Sequence, residues 1–308
     1  MKRKILAVLD GSDQAMDEVK YISHLFPPQK TEVVLFNVKV DLPEPFLDLS
    51  REPGFGSSVA SASAWSYQVK NNMDKFMDDA KKFLTDSGFS PELVKTRIQS
   101  KKVGIARDIL NESEKGYSLV VAGRTGASGI KDVIMGSIAA KLIAKVPGIP
   151  ISTVGGNPES KKVLIGFDGS DGAMKAVSCI GRLLGNTDCE VTLCHVIRPM
   201  GIHYGLTKYF SSKEEAKWIE ENKKLIEPAF NKAEQRLKNA GFSPDQISRD
   251  ILKKKTSRAA ALVAKAKKEG YGTLVVGRRG ITAVEEFLMG RVSTKVLNMV
   301  TQAAVLVV

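Results

Sequence analysis

The sequence predicts an α/β fold built twice: two tandem domains, each a parallel sheet with helices on both faces. Three observations carry this. Short, continuous apolar runs such as Ile5-Leu6-Ala7-Val8-Leu9 and Leu119-Val120-Val121-Ala122 have the pattern of strands covered on both sides. Helix-length segments alternate with them, and that alternation gives parallel sheets. The landmarks of residues 1–156 then recur in residues 157–308, and a repeat of this length is a duplicated domain rather than a solenoid unit.

Taken in order, the first strand, Ile5 to Leu9, runs into Asp10-Gly11-Ser12-Asp13. A helix follows with Ala15, Val19, Tyr21 and Ile22 among its apolar positions, and Pro27-Pro28 stops it. Val33 to Val38 is a second strand. Asp41 to Ser63, rich in Pro, Gly and Ser, reads as a long loop, and a helix is expected from about Trp65 to Asp86. A weaker strand near Val94 to Ser100 precedes a helix from about Gly104 to Lys115. The fourth strand, Leu119 to Ala122, a glycine-punctuated loop, a helix opening at Gly136-Ser137 and a last strand, Ile149 to Val154, complete five strands.

Gly155-Gly156-Asn157-Pro158 reads as a linker, after which the chain starts again. Val163 to Asp171 repeats the first strand and its Asp-Gly-Ser end at an offset of 158, and Cys194-His195-Val196 repeats the end of the second strand at the same offset. Trp218 matches Trp65, and Gly241 to Pro244 match Gly88 to Pro91, both at 153; the second glycine loop lies at 154. The last strands, Ile149 to Val154 and Ala304 to Val308, would each be an exposed edge unless paired. They are expected to pair with each other within the chain as an intramolecular pseudo-dimer, with a further homodimer left open.

Composition excludes several classes. No apolar run approaches the roughly 18 residues of a membrane span. The Met1-Lys2-Arg3-Lys4 start followed by five apolar residues is cut short by Asp10 and reads as a strand, not a signal peptide. Three cysteines give no disulfide framework; Cys189 and Cys194 should face opposite sides of a strand as buried thiols, and a cytoplasmic protein is expected. The net charge of +12 divides as +3 for residues 1–156 and +9 for residues 157–308. A basic half can mean nucleic acid. No aromatic residues interleave with Lys253-Lys254-Lys255, so a solvated helix surface with cations around an anion site is preferred.

The chemistry points to the glycine stretch. Gly123 and Gly126 permit a tight turn and a close approach of backbone to ligand. Ten residues beyond Gly126, Gly136-Ser137 opens a helix, with Ser137 as candidate cap and Ile138 on the apolar stripe. A helix N-terminus offers unpaired N–H groups and partial positive charge, which suits a phosphate. Gly277, Gly280 and Gly290 repeat the spacing. In parallel sheets ligands bind beyond the carboxyl ends of the strands, where strand order reverses, and Asp10, Val38 and Gly123 each end a strand.

Asp-Gly-Ser after the first strand together with Gly123-x2-Gly126-x9-Gly136-Ser137 closely resembles the universal stress protein family, over essentially the whole chain as two copies. The resemblance implies two tandem Rossmann-like (adenine nucleotide alpha hydrolase-like) domains, each a five-stranded parallel sheet of order 3-2-1-4-5. It implies the nucleotide-binding branch of the family, with ATP, ADP or AMP as ligand and Mg2+ accompanying ATP. Asp10 would meet the adenosine moiety, and Val38 would line the adenine slot or serve only as a core valine. Ala122, Gly123 and Gly126 would pass beside the ribose and phosphates; Gly136, Ser137 and Ile138 would offer N–H groups, and Ser137 its hydroxyl. Arg124 could contact a phosphate or stay a solvated cation, and Ser12 serves better as a turn or cap residue. In the second copy Asp168, Val196, Gly277, Gly280 and Gly290 stand in register. Arg291, followed by Val292, replaces the family's Ser or Thr, and Ser293 is a candidate substitute.

The function implied is stress response through ligand-dependent conformation or binding of an unidentified protein partner. A slow ATP hydrolase or phosphotransferase is the alternative, and a nucleic-acid-binding protein is the less favoured third. The chain lacks Gly-x4-Gly-Lys-Ser/Thr, whose lysine reaches the terminal phosphates, and has no motif-fixed base; His24, His195 and His203 are scattered. No catalytic residue and no metal ligand is assigned.

Overall fold

The computed structural model of the chain describes residues 3–48, 52, 54–125, 135–145, 148–156, 158–202, 205–280 and 289–308. In the first half, strands β1 (Arg3–Val8), β2 (Thr31–Lys39), β3 (Val94–Ser100), β4 (Leu119–Gly123) and β5 (Ile151–Val154) alternate with helices. The helices are α1 (Ala15–Leu25), α2 (Glu44–Asp48), α3 (Gly56–Asp86), α4 (Ile105–Ser113) and α5 (Ser137–Lys145). The second half supplies β6 (Lys162–Gly166), β7 (Glu190–Val196), β8 (Ile247–Leu252), β9 (Thr273–Val276) and β10 (Ala304–Val307). Its helices are α6 (Asp171–Leu184), α7 (Ser212–Asn239), α8 (Arg258–Glu269) and α9 (Arg291–Met299).

The strands form one ten-stranded sheet, β3-β2-β1-β4-β5-β10-β9-β6-β7-β8. From either outer edge inward the order is 3-2-1-4-5 of that half, and neighbours within a half are parallel. The halves meet where β5 and β10 pair antiparallel, Val305 opposite Thr153 and Val307 opposite Ile151. The two last strands thus cover each other's edges, as their sequences required.

Strands buried on both faces need apolar residues in both parities, and β1 provides them: Ile5 and Ala7 join the core on one side, Leu6 the core on the other. Each core is continuous across both halves. One gathers residues of α1, α3, α6 and α7; the other gathers residues of α4, α5, α8 and α9. Cys189 lies in the first core and Cys194 in the second, both free and buried, as their spacing predicts.

Polar bonds cross between halves in matched pairs. Arg124 donates through Nη2 to the Asn298 carbonyl in the last turn of α9 (3.2 Å), and Arg278 donates through Nη1 to the Ile143 carbonyl in the last turn of α5 (2.6 Å). A cation at a helix C-terminus meets unpaired carbonyls and the negative end of the dipole. Arg124 is therefore neither a phosphate ligand nor a solvated cation: it is 8% exposed and turned away from the crevice. Near the middle of the seam, the Tyr21 hydroxyl lies 3.2 Å from Thr273 Oγ1 and also accepts from Ser152.

The structure corrects the sequence reading of Asp41 to Ser63 as a long loop. A five-residue helix, α2, lies there, and α3 starts at Gly56, nine residues before Trp65. Ser and Ala in this stretch permit a helix that the Gly and Pro content concealed. Among the described residues no helix is long and apolar enough to cross a membrane.

Candidate functional site

Asp10 follows β1, Val38 lies near the end of β2, Ala122 and Gly123 end β4, and Gly136, Ser137 and Ile138 lead into α5. All seven line one cleft of about 840 Å³, at the strand-order reversal between β1 and β4. That volume is typical of a small-molecule pocket. Gly126 lies outside the described residues, as does His203.

The cleft has an apolar end and a polar end. Val38, Ile98, Ile105 and Ile109 line the apolar end, and α3 adds Trp65, Val69 and Met73. Trp65 and Tyr67 are 64% and 66% exposed, so the N-terminal half of α3 presents aromatic surface at the mouth. The sequence reading missed this wall; its signal was the Trp65-Ser66-Tyr67 cluster in a segment too polar to be core.

At the polar end, Asp10 Oδ1 accepts from the Ser12 N–H (3.0 Å) and hydroxyl (2.6 Å), and Ser12 Oγ accepts from the Ala15 N–H (3.3 Å). Of the turn or cap role expected, Ser12 thus takes the turn, and it fixes the Asp10 carboxylate at the cleft edge. Ser137 is the first residue of α5 and Gly136 stands before it, so Ser137 is not the cap. The Gly136 N–H is also committed, donating to the Arg124 carbonyl at 2.7 Å. The N–H groups of Ser137 and Ile138, in the first turn, have no intrahelical acceptor.

Glu18 is the cleft residue that sequence reasoning overlooked. It is 3% exposed, takes the Gly123 N–H as acceptor, and its Oε2 has no hydrogen-bond partner. Burial, then the nearby Asp10, push its carboxyl well above the ordinary carboxylate range. A Cβ on Gly123 would lie 2.6 Å from Glu18 Oε1, so glycine is needed there for a packing reason as well. The available signal was a carboxylate inside the apolar stripe of α1, where the repeat has Ala176.

In the second half, Asp168, Val196, Gly277, Gly280, Gly290, Arg291 and Val292 occupy the matching ends of β6, β7 and β9 and the start of α9. Asp168 Oδ1 accepts from the Ser170 N–H at 3.0 Å, repeating the Asp10 turn. The glycine loop packs differently. A Cβ on Gly277 would lie 2.6 Å from the Gly172 backbone, and one on Gly172 would collide with the Arg279 carbonyl. In the first half Gln14 stands at the Gly172 position, with its Oε1 accepting from the Thr125 hydroxyl at 2.8 Å. A side-chain bridge spaces loop from helix there, whereas backbone meets backbone in the second half. Ser293 donates to the Gly277 carbonyl at 2.6 Å and is 5% exposed, so it braces the loop and does not replace the hydroxyl of Ser137. His195 Nδ1 lies 2.8 Å from the Phe167 carbonyl, and burial lowers its pKa, a structural role.

The Universal stress protein family model matches the chain twice, over residues 1–148 and 159–308. The Universal stress protein YxiE of Bacillus subtilis (strain 168) is 28% identical over 156 residues, covering 46% of this chain and 92% of that protein. Among solved structures, a universal stress protein from Archaeoglobus fulgidus DSM 4304 aligns at a TM-score of 0.60 and 15% identity, covering 99% of this chain and 97% of its own. A functionally unknown protein from Pseudomonas aeruginosa PAO1 aligns at 0.54 and 17% identity, covering 100% and 92%. At these identities the two structures speak for the fold alone. Two family matches on a single sheet with a duplicated strand order leave one conclusion: the chain belongs to the Universal stress protein family, as a tandem member.

Proposed function

We propose that this stress-response family member binds an adenine nucleotide in the cleft of its first half, with residues 1–156 and 157–308 as its two units. The observation that carries this is the convergence of Asp10, Val38, Ala122, Gly123, Gly136, Ser137 and Ile138, from four separate stretches of chain, on one cleft. Its apolar end suits a base, its carboxylate at Asp10 suits a ribose hydroxyl or base N–H, and the first turn of α5 suits phosphate. Gly126 is included from the motif. ATP, ADP and AMP fit this division equally, Mg2+ would accompany ATP, and the output is a change of conformation or of protein partner. Binding is favoured over hydrolysis because the chain lacks the Gly-x4-Gly-Lys-Ser/Thr loop whose lysine reaches the terminal phosphates, and its motif fixes no base. Mass identification of the small molecule released on denaturing freshly purified protein tests the reading. Adenine nucleotide at close to one equivalent, lost in Gly136→Val and reduced in Asp10→Ala, is the expected outcome. A protein that neither retains nor takes up any adenine nucleotide refutes it.

A further inference from the structure

Laying one half on the other exposes a substitution pattern confined to the carboxyl edge of the sheet. Where Val40, Ile105, Thr125 and Ser137 line the first cleft, the repeat carries Arg198, Arg258, Arg279 and Arg291. The register is the one that matches Asp10 with Asp168, Gly88 with Gly241 and Gly123 with Gly277.

The fold brings the backbone at Arg279 and Arg291 to the turn beside Asp168, where Arg258 also acts. Arg258 lies close enough to Arg198 and Asp168 to feel both charges. A Cβ on Gly280, the neighbour of Arg279, would lie 2.8 Å from Asp168 Oδ2; one on Gly290 would lie 3.7 Å from the Arg279 Cα, which brings Arg291 alongside. Arg258 and Arg291 are also the first residues of α8 and α9, and neither first turn holds an acidic residue. Helix N-termini favour anions, so a cation at each adds to a positive field already present. The first half does the reverse, opening α4 with Ile105 and placing Asp108 in its first turn. Among the described residues Arg258, Arg279 and Arg291 join no ion pair. Burial, then the Arg198 charge, hold the Arg258 guanidinium below its ordinary range.

We propose that the carboxyl edge of the second half binds a small ligand carrying several phosphate groups, with Arg198, Arg258, Arg279 and Arg291 as its phosphate partners. Guanidinium groups pair with phosphate oxygens in a planar, two-pronged geometry, which suits them to neighbouring phosphates. Arg258 replaces Ile105 on the apolar wall and Arg198 replaces Val40 beside it, so phosphate is the feature these positions recognise. This goes beyond the nucleotide reading of the first half and does not depend on it.

The test is calorimetric titration of the full chain with inorganic tripolyphosphate in magnesium-free buffer. Binding is expected to weaken about tenfold in Arg258→Gln and in Arg291→Gln, the loss of one charge-assisted contact each, and further in the double variant. It is expected to survive Gly136→Val, which obstructs the first cleft. Circular dichroism melts of the same variants confirm that each is folded. Absence of tripolyphosphate binding overturns the proposal, as does binding indifferent to both arginine changes or abolished by Gly136→Val alone. A short DNA duplex that binds more tightly than tripolyphosphate and is lost in the same arginine variants would overturn it in favour of a nucleic-acid surface.

Discussion

A carboxyl group with one oxygen on a backbone N–H and the other on nothing is costly to bury ionised, and Glu18 is in that position beneath the glycine loop. The sign of its effect on stability follows. Its folded pKa is raised, so from the unfolded carboxylate range upward the native state binds more protons than the unfolded state, and stability falls as pH rises until the folded pKa is passed. We expect Glu18→Gln, which keeps the shape of the neutral acid, to raise Tm at pH 8 and to leave it unchanged at pH 4. The gain should be about 2–4 °C for each kcal/mol recovered. An equal Tm for both proteins at pH 8 would show that Glu18 ionises without penalty. At this scale the sequence was partly legible. The Asp10–Ser12 turn could be read because its bonds are local, spanning two and three residues. Arg124 and Ser293 could not, because their partners, the Asn298 and Gly277 carbonyls, lie 174 and 16 positions away.

Elements explain why two copies with the same motif differ at their carboxyl edges. The second glycine loop lies directly on the first turn of α6, where only a glycine at position 172 leaves room for the Arg279 carbonyl. Gly172→Ala should therefore destabilise the protein by about 1–3 kcal/mol, as overpacking does. Gln14→Ala at the matching place removes only an exposed bond to Thr125 and should cost under about 0.5 kcal/mol. Chemical denaturation of the two variants measures the contrast, and equal losses would refute it. The long helix α3 has the converse problem. Of its 31 residues, Val59, Met77, Ala80 and Leu84 are buried, so its N-terminal turns lacked the apolar periodicity that reveals a helix. Those turns wall the cleft and place Trp65 on it. The second tryptophan of the chain, Trp218, is occupied elsewhere, donating to the Arg198 carbonyl at 3.0 Å. In Trp218→Phe, then, ATP should still shift or quench the remaining emission, through Trp65. A spectrum unmoved by saturating ATP, with binding shown by calorimetry, would place the ligand away from α3.

Across the whole molecule the two halves share one sheet and both cores, so neither is finished without the other. The antiparallel pairing of β5 with β10 was legible because each copy ends in an apolar strand that must be covered. That the cores run through this seam was not, since apolar positions announce burial but not the neighbour they are buried against. Continuous cores make unfolding cooperative, because opening one half strips apolar contacts from the other. The matched arginines add polar ties: Arg124 reaches α9 and Arg278 reaches α5, each buried enough to lower the pKa of its guanidinium. Trp65 and Trp218 provide one reporter per half, so Trp65→Phe and Trp218→Phe proteins can be unfolded in urea side by side. Once each is corrected for its own change in stability, the midpoints from fluorescence and from far-ultraviolet circular dichroism should coincide in both. Arg124→Ala with Arg278→Ala leaves the Asn298 and Ile143 carbonyls without their donors across the seam, and the midpoint should fall by the equivalent of about 2–5 kcal/mol. If the two reporters instead separate by a wide interval of urea in the otherwise intact chain, the halves unfold independently and the shared cores do not couple them.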